Sequence, residues 1–155
     1  MNSTQKMLEI ILLALQAYMV IFLWMHDWVP LGRFNDVAAV RSQDTWLRLA
    51  VVTLVQSLPF TVAFIFSAHY FGQSYPRWLD HALLIFYGVC VVAYLRAWWI
   101  PYFAGADAKK VERYRIMFGN THSILPLRHG IVVNTAHLLL HLATVAALIV
   151  LWRMM

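Results

Sequence analysis

The sequence has little charge and almost no cysteine, and both shortages limit the class of protein it can encode. Only 12% of its 155 residues are Asp, Glu, Lys or Arg, against about 25% in an ordinary soluble domain. The single cysteine, Cys90, excludes an intrachain disulfide and any Cys-x-x-Cys redox or zinc motif. The sequence also lacks an arginine-rich run with interleaved aromatics, so we expect no nucleic acid as a partner.

Apolar residues make up 62% of the chain and are concentrated in four long stretches. Each stretch is close to the length of about 20 residues that a helix needs to cross a bilayer. The first stretch continues beyond Lys6 without a small-residue cleavage pattern, which favours a retained span over a signal peptide. We therefore predict an all-α integral membrane protein, a single transmembrane domain over residues 1–155, in which four helices pack as a bundle. The predicted spans are about 7–29, 46–71, 78–103 and 131–153.

Basic residues are unequally divided between the two sides of the predicted bundle. The two longer loops, 32–45 and 104–130, share one side, while both termini lie on the other. Because cytoplasmic loops of membrane proteins are rich in Lys and Arg, we expect both termini on the non-cytoplasmic side, in a bacterial inner membrane. The loop side carries nine basic residues and the terminal side three: Arg33, Arg41, Arg48, Arg96, Lys109, Lys110, Arg113, Arg115 and Arg128, against Lys6, Arg77 and Arg153.

The third loop contains its own structural signals. Asp107 is a typical N-cap residue, and Gly119 is a typical end signal, so a short helix is predicted over about 107–118. Its mixture of apolar and basic positions is typical of a helix that lies in the membrane interface. The rest of this loop retains apolar residues, so we expect it to fold back onto the bundle and bring His122 or His129 towards His137.

Four polar residues recur on the fourth predicted span at spacings of three, four and three: Asn134, His137, His141 and Thr144. These spacings return to one helical face. If the helix begins at Ile131, His141 lies about 15 Å from its start, near the middle of a bilayer about 30 Å thick. Two histidines one turn apart are also the spacing of helical zinc and iron sites, so His137 and His141 are the candidate metal ligands.

The predicted topology brings further polar residues to the same leaflet. His26 and Asp27 end the first span, and Arg96 lies near the end of the third. Together with Asn134, His122 and His129, they are candidate catalytic residues that exchange protons or orient a substrate. Asp27 and Arg96 are alternatively a structural ion pair. At the opposite end, the hairpin between the second and third spans brings His69 and His81 within reach of each other.

These residues predict a His-rich polar pocket in the cytoplasmic leaflet. The favoured function is an enzyme that acts on an apolar or lipid-like substrate, through a His-bound transition metal or through His acid/base chemistry. Two alternatives stay open. One is a haem b electron carrier, with His26 opposite His137 or His141. The other is a non-enzymatic binder, transporter or assembly subunit, in which the histidines join helices by hydrogen bonds. A transporter with only four spans would need to be a homo-oligomer.

Overall fold

Helices dominate residues 3–155, the part of the chain that the computed structural model describes. A 3₁₀ turn, Gly32–Phe34, follows the first helix, and a π-helical segment, Leu95–Trp99, joins α4 and α5 into one continuous helix. This described range contains no strand, only an isolated β-bridge between Arg128 and Ile131. The helices are α1 (Ser3–Met25), α2 (Val37–Gln43), α3 (Trp46–His69), α4 (Arg77–Tyr94), α5 (Ile100–Ala104), α6 (Ala108–Phe118) and α7 (Thr135–Met154).

Four helices in the described range are long and apolar enough to cross a membrane: α1, α3, the continuous helix Arg77–Ala104, and α7. The predicted all-α fold with four spans is therefore confirmed, although some boundaries move. The fourth span begins at Thr135 rather than at residue 131, because Asn134 caps α7 by accepting a hydrogen bond from the His137 backbone N–H at 3.0 Å. His141 consequently lies about 9 Å from the helix start, instead of the roughly 15 Å expected for a helix that begins at Ile131.

The packing order of the spans differs from their order along the chain. Helix α1 packs against α3 and α7, and α7 packs against α4. The interior of this arrangement is apolar, with Leu12, Met19, Leu83, Leu140 and Ala147 almost completely buried. Helices α1 and α7 therefore form the centre of the bundle, and α3 and α4 lie at its two sides.

Polar side chains of α1 hold the end of the bundle that contains the α3–α4 hairpin. Glu9 accepts a hydrogen bond from the Gly72 backbone N–H at 2.9 Å, and Gln16 donates one to the Ser67 hydroxyl at 2.9 Å. Tyr75 donates to the Ser67 carbonyl oxygen at 3.1 Å. Glu9 and Gln16 are both fully buried. Their seven-residue spacing, which repeats on one helical face, is a signal that our sequence analysis missed.

The connections on the other side contain more helix than the sequence predicted. Helix α2 occupies part of the segment 32–45, which we treated as a loop. The helix predicted over 107–118 is present as α6, with Asp107 as its cap through a 2.9 Å hydrogen bond from the Lys110 N–H. Helices α2 and α6 pack together, and Arg113 of α6 binds Asp44 at 2.7 Å. These two short helices cover one end of the bundle.

The segment after α6 folds back onto the bundle, as expected from its apolar residues. Tyr102 donates a hydrogen bond to the Pro126 carbonyl oxygen at 3.0 Å. The Ser123 hydroxyl donates one to the Val133 carbonyl oxygen at 2.7 Å. The His122 backbone N–H donates to the Arg33 carbonyl oxygen at 2.7 Å. The segment is thereby joined to α5, to the start of α7 and to the 3₁₀ turn.

Gly130 is the position in this segment where a side chain would be most costly. Its φ is +76°, and a Cβ added there would lie 2.6 Å from Cγ1 of Val111. We expect Gly130→Ala to lower the free energy of unfolding by about 1–3 kcal/mol, because the change adds a clash to an unfavourable backbone conformation. Unfolding in SDS/detergent mixtures measures this loss.

The control for Gly130→Ala is Gly88→Ala in α4, where an added Cβ meets no atom within 4 Å. That variant should be as stable as the wild type or slightly more stable, because Ala favours helix more than Gly does. Equal stability of the Gly130→Ala variant and the wild type would contradict the packing of Gly130 against α6.

Candidate functional site

A cleft of about 690 Å³ lies between α3 and α4, in the half of the bundle nearer α2 and α6. At its inner end, the rings of Phe60 and Phe86 are in contact, with 4.9 Å between their centroids. From Arg48 to Phe60 the wall formed by α3 is about 18 Å long. Apolar side chains dominate both walls, whereas polar and charged groups gather under α2 and α6. The apolar lining includes Leu49, Val52, Val55, Phe86, Val89 and Ala93.

His26 and Asp27 lie together at the polar end of this cleft, just after α1. His26 Nδ1 lies 3.1 Å from the carbonyl oxygen of Phe22, and since a carbonyl only accepts, Nδ1 carries a hydrogen. His26 Nε2 lies 3.3 Å from Asp27 Oδ1. That contact is attractive only if one proton is present, either on Nε2 or on the carboxyl group. The two side chains therefore form a proton-sharing pair.

The surroundings of Asp27 favour its protonated form. Burial raises the pKa of the Asp27 carboxyl above its ordinary value, and the negative charge of nearby Asp44 raises it further. The positive charge of protonated His26 opposes both effects. A raised pKa extends the pH range over which Asp27 holds a proton, as an acid catalyst requires.

We expect Asp27 to retain its proton at a pH above the ordinary carboxyl pKa of about 3.9, because burial raises its pKa. Infrared spectroscopy at that pH should show a protonated-carboxyl band that becomes weaker in Asp27→Asn. Glu112→Gln is the control, because a hydrogen bond from Arg115 lowers the pKa of Glu112 and keeps it ionised. An unchanged band in Asp27→Asn would show that Asp27 is ionised.

His137 lies next to this pair and is held by its own neighbours. Its Nδ1 lies 2.7 Å from the Asn134 side-chain oxygen and donates to it. Its ring packs on Trp98 with 4.6 Å between centroids and meets the edge of the His26 ring at 5.4 Å. Asn134 in turn donates to the Phe34 carbonyl oxygen at 3.2 Å. Asn134 thus both begins α7 and orients His137.

His141 lies one turn further along α7 and has a different environment. Its ring stacks on Tyr94 with 4.3 Å between centroids. Only 4% of the surface of His141 is exposed. Neither ring nitrogen has a hydrogen-bond partner within residues 3–155. A buried polar group without a partner costs about 1–3 kcal/mol. Such a group commonly marks the place of a water molecule or a ligand.

The geometry of the histidines does not support the predicted metal centre. Within residues 3–155, no group of three or more His, Cys, Asp or Glu side chains is arranged to hold a metal ion. His137 uses its Nδ1 for Asn134, and the ring of His141 faces Tyr94 instead of sharing a ligand position with His137. Metal binding by His137 and His141 stays a prediction without support from this arrangement.

A haem between His26 and His137 would need a porphyrin plane separating the two rings. The rings are instead in edge contact at 5.4 Å. Both rings also contact Phe22, at centroid distances of 4.7 Å for His26 and 5.8 Å for His137. The structure as it stands leaves no space for a macrocycle between them.

Arg96 lies away from the cleft. It is exposed, and in the described part of the chain it makes no ion pair with Asp27, so the predicted Asp27–Arg96 pair is wrong. The physical reason is rotation about the helix axis. Trp98, two residues further, is buried towards α7, and residues two apart on a helix point in nearly opposite directions.

The remaining histidines are not brought together either. His122 lies beside the start of α7, where its Nδ1 is 2.8 Å from the Thr135 hydroxyl and its ring contacts Phe34. His129 is exposed with a φ of 49° and lies beside Gly105, away from His137. At the other end, His81 Nδ1 bonds to the Arg77 carbonyl oxygen, and His69 contacts Tyr70. The expected meeting of His69 and His81 is not observed.

Several residues of the cleft were not identified from the sequence. The side chain of Asp44 is almost completely buried and binds both Arg113, at 2.7 Å, and Arg48, at 3.1 Å. Arg113 is 69 positions away from Asp44, and no local pattern connects the two. Tyr94 and Trp98 position the histidines of α7. Their only sequence signal is their occurrence at the same predicted depth as those histidines.

The fold and the cleft together define a class: a helical integral membrane protein with four span-capable helices and a cleft between two of them. No protein-family model matches the chain, and no curated protein or solved structure is significantly similar to it. Function must therefore be argued from the cleft itself.

Proposed function

We propose that this chain is an integral membrane enzyme that binds a lipid-like substrate in the cleft and exchanges a proton with it through His26 and Asp27. The observation that carries this proposal is the 3.3 Å contact between His26 Nε2 and Asp27 Oδ1 at the polar end of an apolar cleft. A positioned group that can hold or release a proton is what general acid–base catalysis requires.

The shape of the cleft supports a substrate that enters from the bilayer. Val55 of α3 and Val89 of α4 line the cleft and are 68% and 61% exposed, respectively. Exposed apolar side chains on a span-capable helix face lipid, so the cleft is continuous with the hydrocarbon region. A molecule with an apolar tail can occupy the walls while its polar head reaches His26 and Asp27.

The distribution of charge supports an orientation for this site. The polar end of the cleft lies on the side that carries nine of the twelve basic residues, which supports a location in the cytoplasmic leaflet. In this orientation α6 lies in the membrane interface, with Lys109 exposed to the headgroups and Phe118 buried against the bundle. A bacterial inner membrane is the setting that we propose.

The test uses the wild-type protein reconstituted in nanodiscs with a total bacterial lipid extract. Mass spectrometry of the extracted lipids should show one class that is retained by the protein and converted to a product with time. The control is heat-inactivated protein in the same nanodiscs. Retention without conversion would favour the non-enzymatic binder instead. If the wild-type protein neither retained nor converted a lipid, the proposal would be refuted.

A further inference from the structure

We infer that the substrate of the cleft has an uncharged head group whose oxygen forms a hydrogen bond with His141. This inference rests on the proposed function, because it takes the cleft as the binding site of a lipid-like molecule. It adds the chemical class of the head group, which excludes phosphate-bearing lipids and includes lipid alcohols and quinones.

The imidazole of His141 is buried at the cleft without a hydrogen-bond partner among residues 3–155. The residue lines the cleft, is 4% exposed, and neither of its ring nitrogens has a partner within the described residues. The ring is held by stacking on Tyr94 at 4.3 Å and by an edge contact with Trp98 at 5.9 Å. A neutral imidazole offers one donor and one acceptor, so it can bind a hydroxyl or carbonyl oxygen.

The ion pairs of the cleft lining also favour an uncharged head. The two guanidinium groups, Arg48 and Arg113, lie beside the carboxylate of Asp44, and the other acid, Asp27, is uncharged when it holds its proton. Both guanidinium groups already bind Asp44, at 3.1 Å and 2.7 Å. A phosphate prefers a cation that is free to pair with it. An anionic head that paired with either guanidinium group would compete with Asp44 for it, whereas an uncharged head leaves these ion pairs intact.

Three probes with the same short prenyl tail test this inference: the alcohol, the benzoquinone and the monophosphate. Binding to the reconstituted wild-type protein can be followed by quenching of tryptophan fluorescence, because Trp98 lines the cleft. We expect the alcohol or the quinone to bind at least tenfold more tightly than the phosphate. Comparison of the alcohol with the quinone then identifies which uncharged head is preferred.

Variants of His141 connect the binding to this residue. His141→Phe should weaken binding of the preferred uncharged probe at least tenfold, and His141→Gln, which keeps hydrogen-bonding groups, should restore part of it. His69→Phe, at the opposite end of the bundle, is the control and should leave binding unchanged. Thermal unfolding of each variant confirms that it folds.

The possible failures are distinguishable. Equal or tighter binding of the phosphate would overturn the inference about the head group while leaving a lipid-binding cleft intact. Unchanged affinity of the folded His141→Phe variant would also overturn it. If none of the three probes bound the wild-type protein, the proposed function itself would be contradicted.

Discussion

Replacing Asp27 by Asn is expected to slow conversion of the bound lipid by about 10²- to 10⁴-fold, the usual contribution of a general acid or base. The amide has nearly the same shape as the carboxyl group, so it preserves packing at the end of α1. It cannot supply the proton that Asp27 shares with His26 Nε2 at 3.3 Å. The rate is measured by mass spectrometry of the lipid product in nanodiscs.

Glu112→Gln is the matched control for this experiment. It makes the same chemical change on the same side of the protein, but Glu112 is an exposed residue paired with Arg115 on the surface of α6. Surface pairs of this kind contribute little to stability, so the control should convert lipid at the wild-type rate. If a folded Asp27→Asn variant also kept the wild-type rate, the role of Asp27 as proton donor or acceptor would be excluded.

Filling the cleft should abolish lipid retention. Ala93 lies on the α4 wall of the cleft and is exposed there, so an indole at this position would occupy space that the substrate needs. We expect Ala93→Trp to reduce the lipid retained per protein molecule at least tenfold, as measured by native mass spectrometry. The variant should fold, because the new side chain enters open space rather than the packed core.

The control for the filled cleft is Leu142→Trp on α7. Leu142 is 55% exposed and lies outside the cleft lining, so its replacement adds the same side chain to a surface that faces lipid. This variant should retain as much of the specific lipid as the wild type. Equal retention by Ala93→Trp and Leu142→Trp would mean that the lipid binds elsewhere.

Hydropathy and helix-end signals predicted the parts of this fold that depend on local sequence. The four spans follow from the length of apolar runs, and α6 follows from Asp107 and Gly119. The apolar run before α7 was misleading because Ile131 and Val133 are buried in a loop instead of a helix. Hydrophobicity indicates burial, and it does not distinguish a buried loop from the first turn of a helix.

Position along the bundle axis was easier to predict than direction around a helix. The sequence placed His26, Asp27, His137 and His141 at one end of the bundle, and the structure brings all four to the cleft. Arg96 lies near the same end of the bundle but faces outward. The facing direction depends on which helices are neighbours, and neither the packing order of the spans nor the π-helical segment is encoded in a short-range pattern.

Ion pairs between residues far apart in the sequence could not be predicted either, because they also depend on which helices are neighbours. Asp44 and Arg113 close the polar end of the cleft through a contact between α2 and α6. Nothing in the sequence near either residue indicates the other, and α2 itself was expected to be a loop. The apolar cleft between α3 and α4 therefore emerged only from the structure, although all three of its histidines had been identified.

The most direct test of the central claim is photo-crosslinking of lipid from within the cleft. A photoreactive amino acid at Val52, on the cleft wall, should capture one lipid class far above its abundance in the membrane. The same amino acid at Leu142, which faces bulk lipid, should capture lipids in proportion to their abundance. Mass spectrometry of the adducts gives the result. If both positions captured lipids in proportion to their abundance in the membrane, a specific lipid-binding site between α3 and α4 would be contradicted.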